Sequence, residues 1–338
     1  MVNITQFANA KITAFVQLTN IFVKYYYYYL MNLIIVGTVA FDAIETPFGK
    51  TDKIIGGAAT YISLAASYFT AGAGVVSAVG GDFPREYISL LNDHGVNTDG
   101  LEIREKEKSF FWSGRYNADM NSRETLTTEL NVIDGFKPVI PGSYQGADLL
   151  MLGNLSPDIQ ISVIEQLTTR PKLIVLDTMN FWIENTPADL KRVISMVDVL
   201  TINDSEAREL SGEYSLVRAA RKIMDMGPEF LIIKKGENGA LLFSGSRMFF
   251  AAALPLEEVF DPTGAGDSFA GGFIGYIART GDVSFENMKT AIITGSAMAS
   301  FCVEKFGTAN LVNLSKASIY NRIQQFSELV RFTDIDIT

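Results

Sequence analysis

The amino-acid sequence predicts an α/β protein: a mostly parallel central sheet with helices on both faces, carrying a small accessory β-sheet. Three observations support this. From residue 31 onward short apolar runs alternate with stretches of helical periodicity, the pattern of parallel strands joined by helical crossovers. Two stretches, 42–55 and 102–130, break that rhythm with alternating or charged segments such as Ser109-Phe110-Phe111-Trp112-Ser113-Gly114-Arg115-Tyr116, which read as strands of an inserted lid. The C-terminal part, from Gly264, reads as mainly helical.

In chain order, buried strands are expected at 33–39, 75–79, 149–152, 173–176, 197–202 and 230–234, with helices at 59–69, 159–166, 190–196 and 216–226 between them. The expected domain runs from 31 to 330, followed by a tail at 331–338. Residues 1–30 stand apart. They hold Lys11 and Lys24, no acidic residue, and tyrosine at every position from 25 to 29. The apolar stretch 12–23 is interrupted by Gln17 and Asn20 and falls short of the roughly 20 apolar residues a bilayer span needs. No small-residue cleavage site follows it. Residues 1–30 therefore read as an extension outside the fold with Met31 as the natural start; a membrane anchor is the minority alternative.

Composition narrows the function classes. The 338 residues carry a net charge of −10, a field that repels nucleic acid and anionic membrane. It also repels nucleotides, so a phosphate site must rely on local donors. Cys302 is the single cysteine, which rules out an intramolecular disulfide and gives secretion no support; a cytoplasmic location is expected. His94 is the single histidine, which excludes a multi-histidine zinc site.

The most informative stretch is Asp261-Pro262-Thr263-Gly264-Ala265-Gly266-Asp267-Ser268-Phe269. Phe269, Phe273 and Ile277 recur at helical spacing, so a helix begins near Gly264 or Gly266. Its first turn offers free N–H groups and the positive end of the helix dipole, and glycines let an anion approach them. Asp267 sits beside that anion hole, where an acid could take a hydroxyl proton during phosphoryl transfer. Asp in a first helical turn is also favourable for stability alone. Glycines inside a helix cost about 1 kcal/mol each, so Gly271, Gly272 and Gly275 call for a close neighbour.

Other segments have two readings each. Asn203-Asp204-Ser205-Glu206 has the spacing of a capping box at a helix start. Lys234-Lys235-Gly236-Glu237-Asn238-Gly239 reads locally as a hairpin turn with solvated lysines. Asp42 closes the first strand region, beyond which ligands bind in open α/β sheets. Gly56 and Gly57 open a helix. Phe48-Gly49-Lys50-Thr51 lacks the first glycine of a Walker A loop, since position 44 is Ile44, and no Gly-x-Gly-x-x-Gly follows the first strand.

The unbroken string from Asp261 to Phe269 resembles the C-terminal signature of the ribokinase, or PfkB, carbohydrate kinase family, and the resemblance extends over about residues 31 to 330. It implies a ribokinase-like fold and transfer of the γ-phosphoryl of Mg-ATP to a hydroxyl of a sugar or sugar-like molecule. It makes Asp267 the catalytic base and the amides of Gly264, Ala265 and Gly266 the anion hole. Asp261 falls where many members bind a monovalent cation such as K⁺. The family's Asn-x-x-Glu motif puts Asn203 near the nucleotide and Glu206 on Mg²⁺ through water. By the same resemblance Lys235, Gly236, Gly239, Ala297, Ser300 and Gly307 belong to the ATP site, and Asp42, Gly56, Gly57 and Tyr61 to the acceptor site. Tyr61 departs from the Asn of many sugar kinases. A nucleoside acceptor enclosed by Phe111, Trp112 and Tyr61 is the alternative, and a catalytically silent binding protein is the other class. The lid sheet is expected either to cover a monomer's site or to pair two subunits.

Overall fold

A computed structural model describes residues 32–332. The predicted extension at 1–30 lies outside the described residues, as does most of the predicted tail.

The fold opens with β1 (Leu33–Val36), four apolar residues with no exposure at all. The chain then leaves the main sheet for the accessory strands β2 (Ala40–Thr46), β3 (Gly49–Lys50) and β4 (Ile54–Gly56) before helix α1 (Ala58–Ser67). Next come β5 (Ala73–Gly80), α2 (Arg85–Asp93), β6 (Val96–Arg104), and the lid hairpin of β7 (Phe111–Tyr116) and β8 (Arg123–Glu129). Classical crossovers follow: β9 (Leu149–Leu152), α3 (Pro157–Gln166), β10 (Leu173–Asp177), α4 (Asn180–Asn185), α5 (Pro187–Ile194), β11 (Val199–Asn203), α6 (Asp204–Ser211), α7 (Leu216–Met224) and β12 (Phe230–Lys234). An antiparallel pair, β13 (Ala240–Ser244) and β14 (Arg247–Ala251), precedes the helices α8 (Ala265–Thr280), α9 (Phe285–Cys302) and α10 (Lys316–Leu329).

The main sheet has the order β14-β13-β12-β11-β10-β9-β1-β5-β6, parallel from β12 to β6. Both faces are covered, as an apolar parallel sheet requires. Leu33 and Ile35 face a core built with α1, α8 and α9, while Ile34 and Val36 face the one built with α3, α5, α6 and α7. The order reverses at β1, with β5 on one side and β9 on the other, which opens a crevice beyond the carboxyl ends of the strands. The second sheet is β3-β2-β7-β8 with β4 on β2.

One boundary differs from expectation. The first strand stops at Val36, not at residue 39, and Asp42 lies inside accessory strand β2. At Gly37 the chain passes so close beneath α1 that an added Cβ would lie 3.0 Å from the Ala59 nitrogen, and it turns there into the second sheet.

Candidate active site

Three parallel strands end side by side on polar residues: Asp177 on β10, Asn203 on β11 and Lys234 on β12. The start of α8 faces this edge. Gly264 is its N-cap with φ +74°, a left-handed conformation that glycine adopts freely, and the helix begins at Ala265. This terminus leaves free backbone amides, and Asp267 stands in the first helical turn. The interior glycines have steric reasons: a Cβ on Gly271 would lie 2.4 Å from the Ile62 carbonyl, and one on Gly272 would meet α9. Those glycines let α8 pack directly between α1 and α9.

Asp261 ties the loop down. Its Oδ1 accepts the Thr263 N–H and its Oδ2 the Gly307 N–H, each at 2.8 Å. Gly307 thus braces the loop.

Asp42 is 4% exposed, and its carboxylate rests against Gly56, where an added Cβ would lie 2.0 Å from Oδ2. The Gly57 N–H donates to it, but burial dominates, and nearby Asp261 and Asp267 add to the effect; its pKa is pushed up to about 7. Asp267 rises to about 6, chiefly through burial and then through Asp177, with Lys234 pulling the other way. Glu206 rises to about 7 for the same first reason, against the pull of Lys234. Its Oε2 accepts the Asn203 N–H and its own N–H donates to Asn203 Oδ1, both at 2.8 Å, so the capping box exists. The cap engages only Oε2 of the Glu206 carboxylate and leaves Oε1 outside the box.

A cavity of about 630 Å³ runs from Lys234, Gly266 and Phe269 past Gly236 and Gly239 to Ser300 and Val303, a volume suited to a nucleotide. Of the predicted ATP residues, Gly236, Gly239 and Ser300 line it. Asn203, Ala297 and Lys235 do not; the Lys235 ammonium lies over the Phe250 ring at 5.9 Å. Lys234, by contrast, lines the cavity and is largely withdrawn from solvent. Its Nζ bonds Asp177 Oδ1 at 3.1 Å and Oδ2 at 3.0 Å, with 18% of the side chain exposed. Neither Lys234 nor Asp177 was legible as a site residue, because their pairing spans 57 positions of sequence. The available signal was that both strands end on a charged residue.

Tyr61 also needs correction. It does not wall an open acceptor pocket but is 1% exposed among Met298, Phe301 and Cys302. Its ring lies against Gly264, where a Cβ would come within 2.4 Å of it. The aromatic ring is the floor of the turn that opens α8.

The lid reaches both ends of the crevice. Tyr116 meets Thr263, and the hairpin tip residues Asp119, Met120 and Asn121 line the 630 Å³ cavity. Arg123 lies beside the Tyr116 hydroxyl, lowers the proton affinity of Asp42, Glu206 and Asp267, and holds its guanidinium 5.4 Å from the Trp112 ring. Arg123 was missed in the sequence because it reads there as a surface charge on a strand. Phe111 lies on the other face under Lys53, 4.8 Å from its ring.

A ribokinase-type α/β sheet with a β-lid and an acid beside a helix-terminal anion hole defines a small-molecule kinase scaffold. The chain belongs to the pfkB family of carbohydrate kinases, whose family model matches residues 32–314. A cytidine kinase of Thermococcus kodakarensis is 29% identical over 255 residues, covering 74% of this chain and 90% of its own length. A nucleoside kinase of Methanothermobacter thermautotrophicus is 28% identical over 306 residues, covering 82% and 91%. In fold, the chain is similar to a Methanocaldococcus jannaschii nucleoside kinase at TM-score 0.70 and 20% identity, covering 87% of this chain and 99% of that one. A ribokinase-like protein of E. coli superposes at TM-score 0.74 and 19% identity, with 88% and 100% coverage. Among the described residues no helix is long and apolar enough to cross a membrane.

Proposed function

We propose that this kinase phosphorylates a nucleoside, placing the ribose on Asp42 and the base against Trp112. The observation that carries this reading is a register: Asp42 and Trp112 are partners in the adjoining parallel strands β2 and β7. Register partners in parallel strands project from the same face. A carboxylate able to accept two sugar hydroxyls therefore stands beside a half-buried indole, whose ring lies over Gly114. The cytidine and nucleoside kinases among its relatives support the same choice over a simple sugar.

In this reading the nucleotide occupies the 630 Å³ cavity with its terminal phosphoryl at the start of α8. The amides of Gly264, Ala265 and Gly266 hold the transferring group where charge develops. Asp267 accepts the acceptor hydroxyl's proton, and its raised proton affinity suits that task near neutral pH. Mg²⁺ bound with ATP supplies charge neutralisation of the phosphates; Glu206 Oε1 fits a role in holding it through water. Asp261 retains a second lone pair on each oxygen toward a monovalent cation, beyond the loop bracing already described.

The test is a Mg-ATP phosphorylation screen of the full chain over nucleosides, sugars and sugar phosphates. Turnover of a nucleoside is expected, with Trp112→Ala raising its KM roughly 5- to 150-fold, the equivalent of about 1–3 kcal/mol of base stacking. Preference for a free sugar, or indifference to Trp112→Ala, removes the base-binding assignment.

A further inference from the structure

Lys234 is a largely buried cation at the carboxyl edge of the sheet beside the start of α8, and its placement is electrostatically costly by itself. The positive end of a helix dipole repels an ammonium. Its Nζ nevertheless lies 3.3 Å from where a Cβ on Gly266 would sit, and the side chain lines the nucleotide cavity. Asp177 takes two of its hydrogen-bonding directions with near-equal bonds to both oxygens, leaving part of the ammonium turned to the cavity. Burial works against the charge, but Asp177 and then Glu206 outweigh it and keep the lysine protonated. Stability does not explain such a pair, since apolar residues of similar volume often serve a core as well or better.

Resting on the ATP-kinase reading above, we infer that Lys234 is a catalytic residue that binds the γ-phosphoryl of ATP, and that Asp177 is the positioning residue that aims it. An anion at the α8 terminus lies between two positive groups, the helix end and the ammonium, and resolves their repulsion. During transfer the bond from the β,γ-bridging oxygen to the γ-phosphorus breaks, and its electron pair stays on ADP. A bond forms from the acceptor oxygen to the same phosphorus, whose hydroxyl proton goes to Asp267. Lys234 donates hydrogen bonds to the non-bridging oxygens and keeps its proton throughout. The neighbouring Lys235 takes no part.

The experiment measures binding of Mg-ADP and of the Mg-bound β,γ-imido analogue of ATP to the full chain by calorimetry. Lys234→Met is expected to lower affinity for the imido analogue by about 10- to 100-fold, as loss of a charge-assisted hydrogen bond does, while leaving ADP affinity unchanged. The double variant Asp177→Leu/Lys234→Met separates this from structural damage: apolar packing restores thermal stability, and the analogue-specific loss persists. Equal loss for both nucleotides, or recovery of analogue affinity in the double variant, overturns the assignment. Wild-type protein that binds neither nucleotide overturns the kinase reading itself.

Discussion

The Thr263 hydroxyl donates to the hydroxyl of Tyr116 at 3.2 Å, joining positions 147 residues apart in the chain. A lid strand thereby touches the loop that opens α8, and the lid and the anion-binding turn become parts of one assembly. A neutral hydrogen bond of this kind contributes about 0.5–1.5 kcal/mol. Tyr116→Phe is therefore expected to slow phosphorylation by about 2- to 10-fold with a small drop in Tm. An unchanged steady-state rate would show that the contact is idle.

Asp267→Asn is expected to lower kcat by about 10²–10⁴-fold, the usual cost of losing a general base. Mg-ATP affinity should stay near wild type, because the carboxylate acts on the acceptor's proton. Near-wild-type turnover in the variant rejects the assignment.

The acid limb of activity follows from two buried carboxylates. Burial pushes Asp42 up to about 7 and Asp267 up to about 6, and the proposed mechanism needs both unprotonated, one to accept hydroxyls and one to accept a proton. A profile of kcat/KM against pH, which reports the free enzyme, should fall below neutrality and more steeply once Asp267 protonates. A profile flat over this range contradicts the roles of both residues.

Stability should run the opposite way. The folded pKa values of Asp42, Glu206 and Asp267 lie above their ordinary values of 3.8, 4.5 and 3.8. Between those values and the raised ones the folded state holds more protons than the unfolded, so stability falls as pH rises through that window. The unliganded protein is expected to melt lower at pH 8 than at pH 5 as far as these groups decide. Glu206→Gln, which keeps the cap's acceptor, should raise Tm at pH 8 by about 2 °C or more, corresponding to at least about 1 kcal/mol. A lower Tm for this variant at pH 8 would refute the sign.

Tyr61 offers a packing test. Its buried hydroxyl has no hydrogen-bond partner among the described residues, and an unsatisfied buried polar group costs about 1–3 kcal/mol. Tyr61→Phe should therefore stabilise the protein, while Tyr61→Asn should destabilise it by about 3–5 kcal/mol through the cavity beneath Gly264. Thermal or urea unfolding of the two variants decides; a destabilised Tyr61→Phe would mean that the hydroxyl finds a partner in solution.

The sequence by itself determined the layered α/β architecture and the start of α8. Short, uniformly apolar runs such as Leu33–Val36, spaced between helical patterns, read as strands covered on both faces, and the Gly264-Ala265-Gly266-Asp267 string specifies a helix terminus by local chemistry. The Asn203–Glu206 cap was legible for the same reason, being an interaction between residues three apart. Tertiary structure alone decided what each strand end confronts. Asp177 reaches Lys234 across β11, Tyr61 slides under Gly264, and Arg123 arrives from the lid. Local sequence ranked Lys234 with Lys235 as solvated and carried the first main-sheet strand three residues past Val36. Periodicity records which face of an element is buried. Only the packing of distant elements fixes which charge is buried against which, and there the chemistry of the site is set.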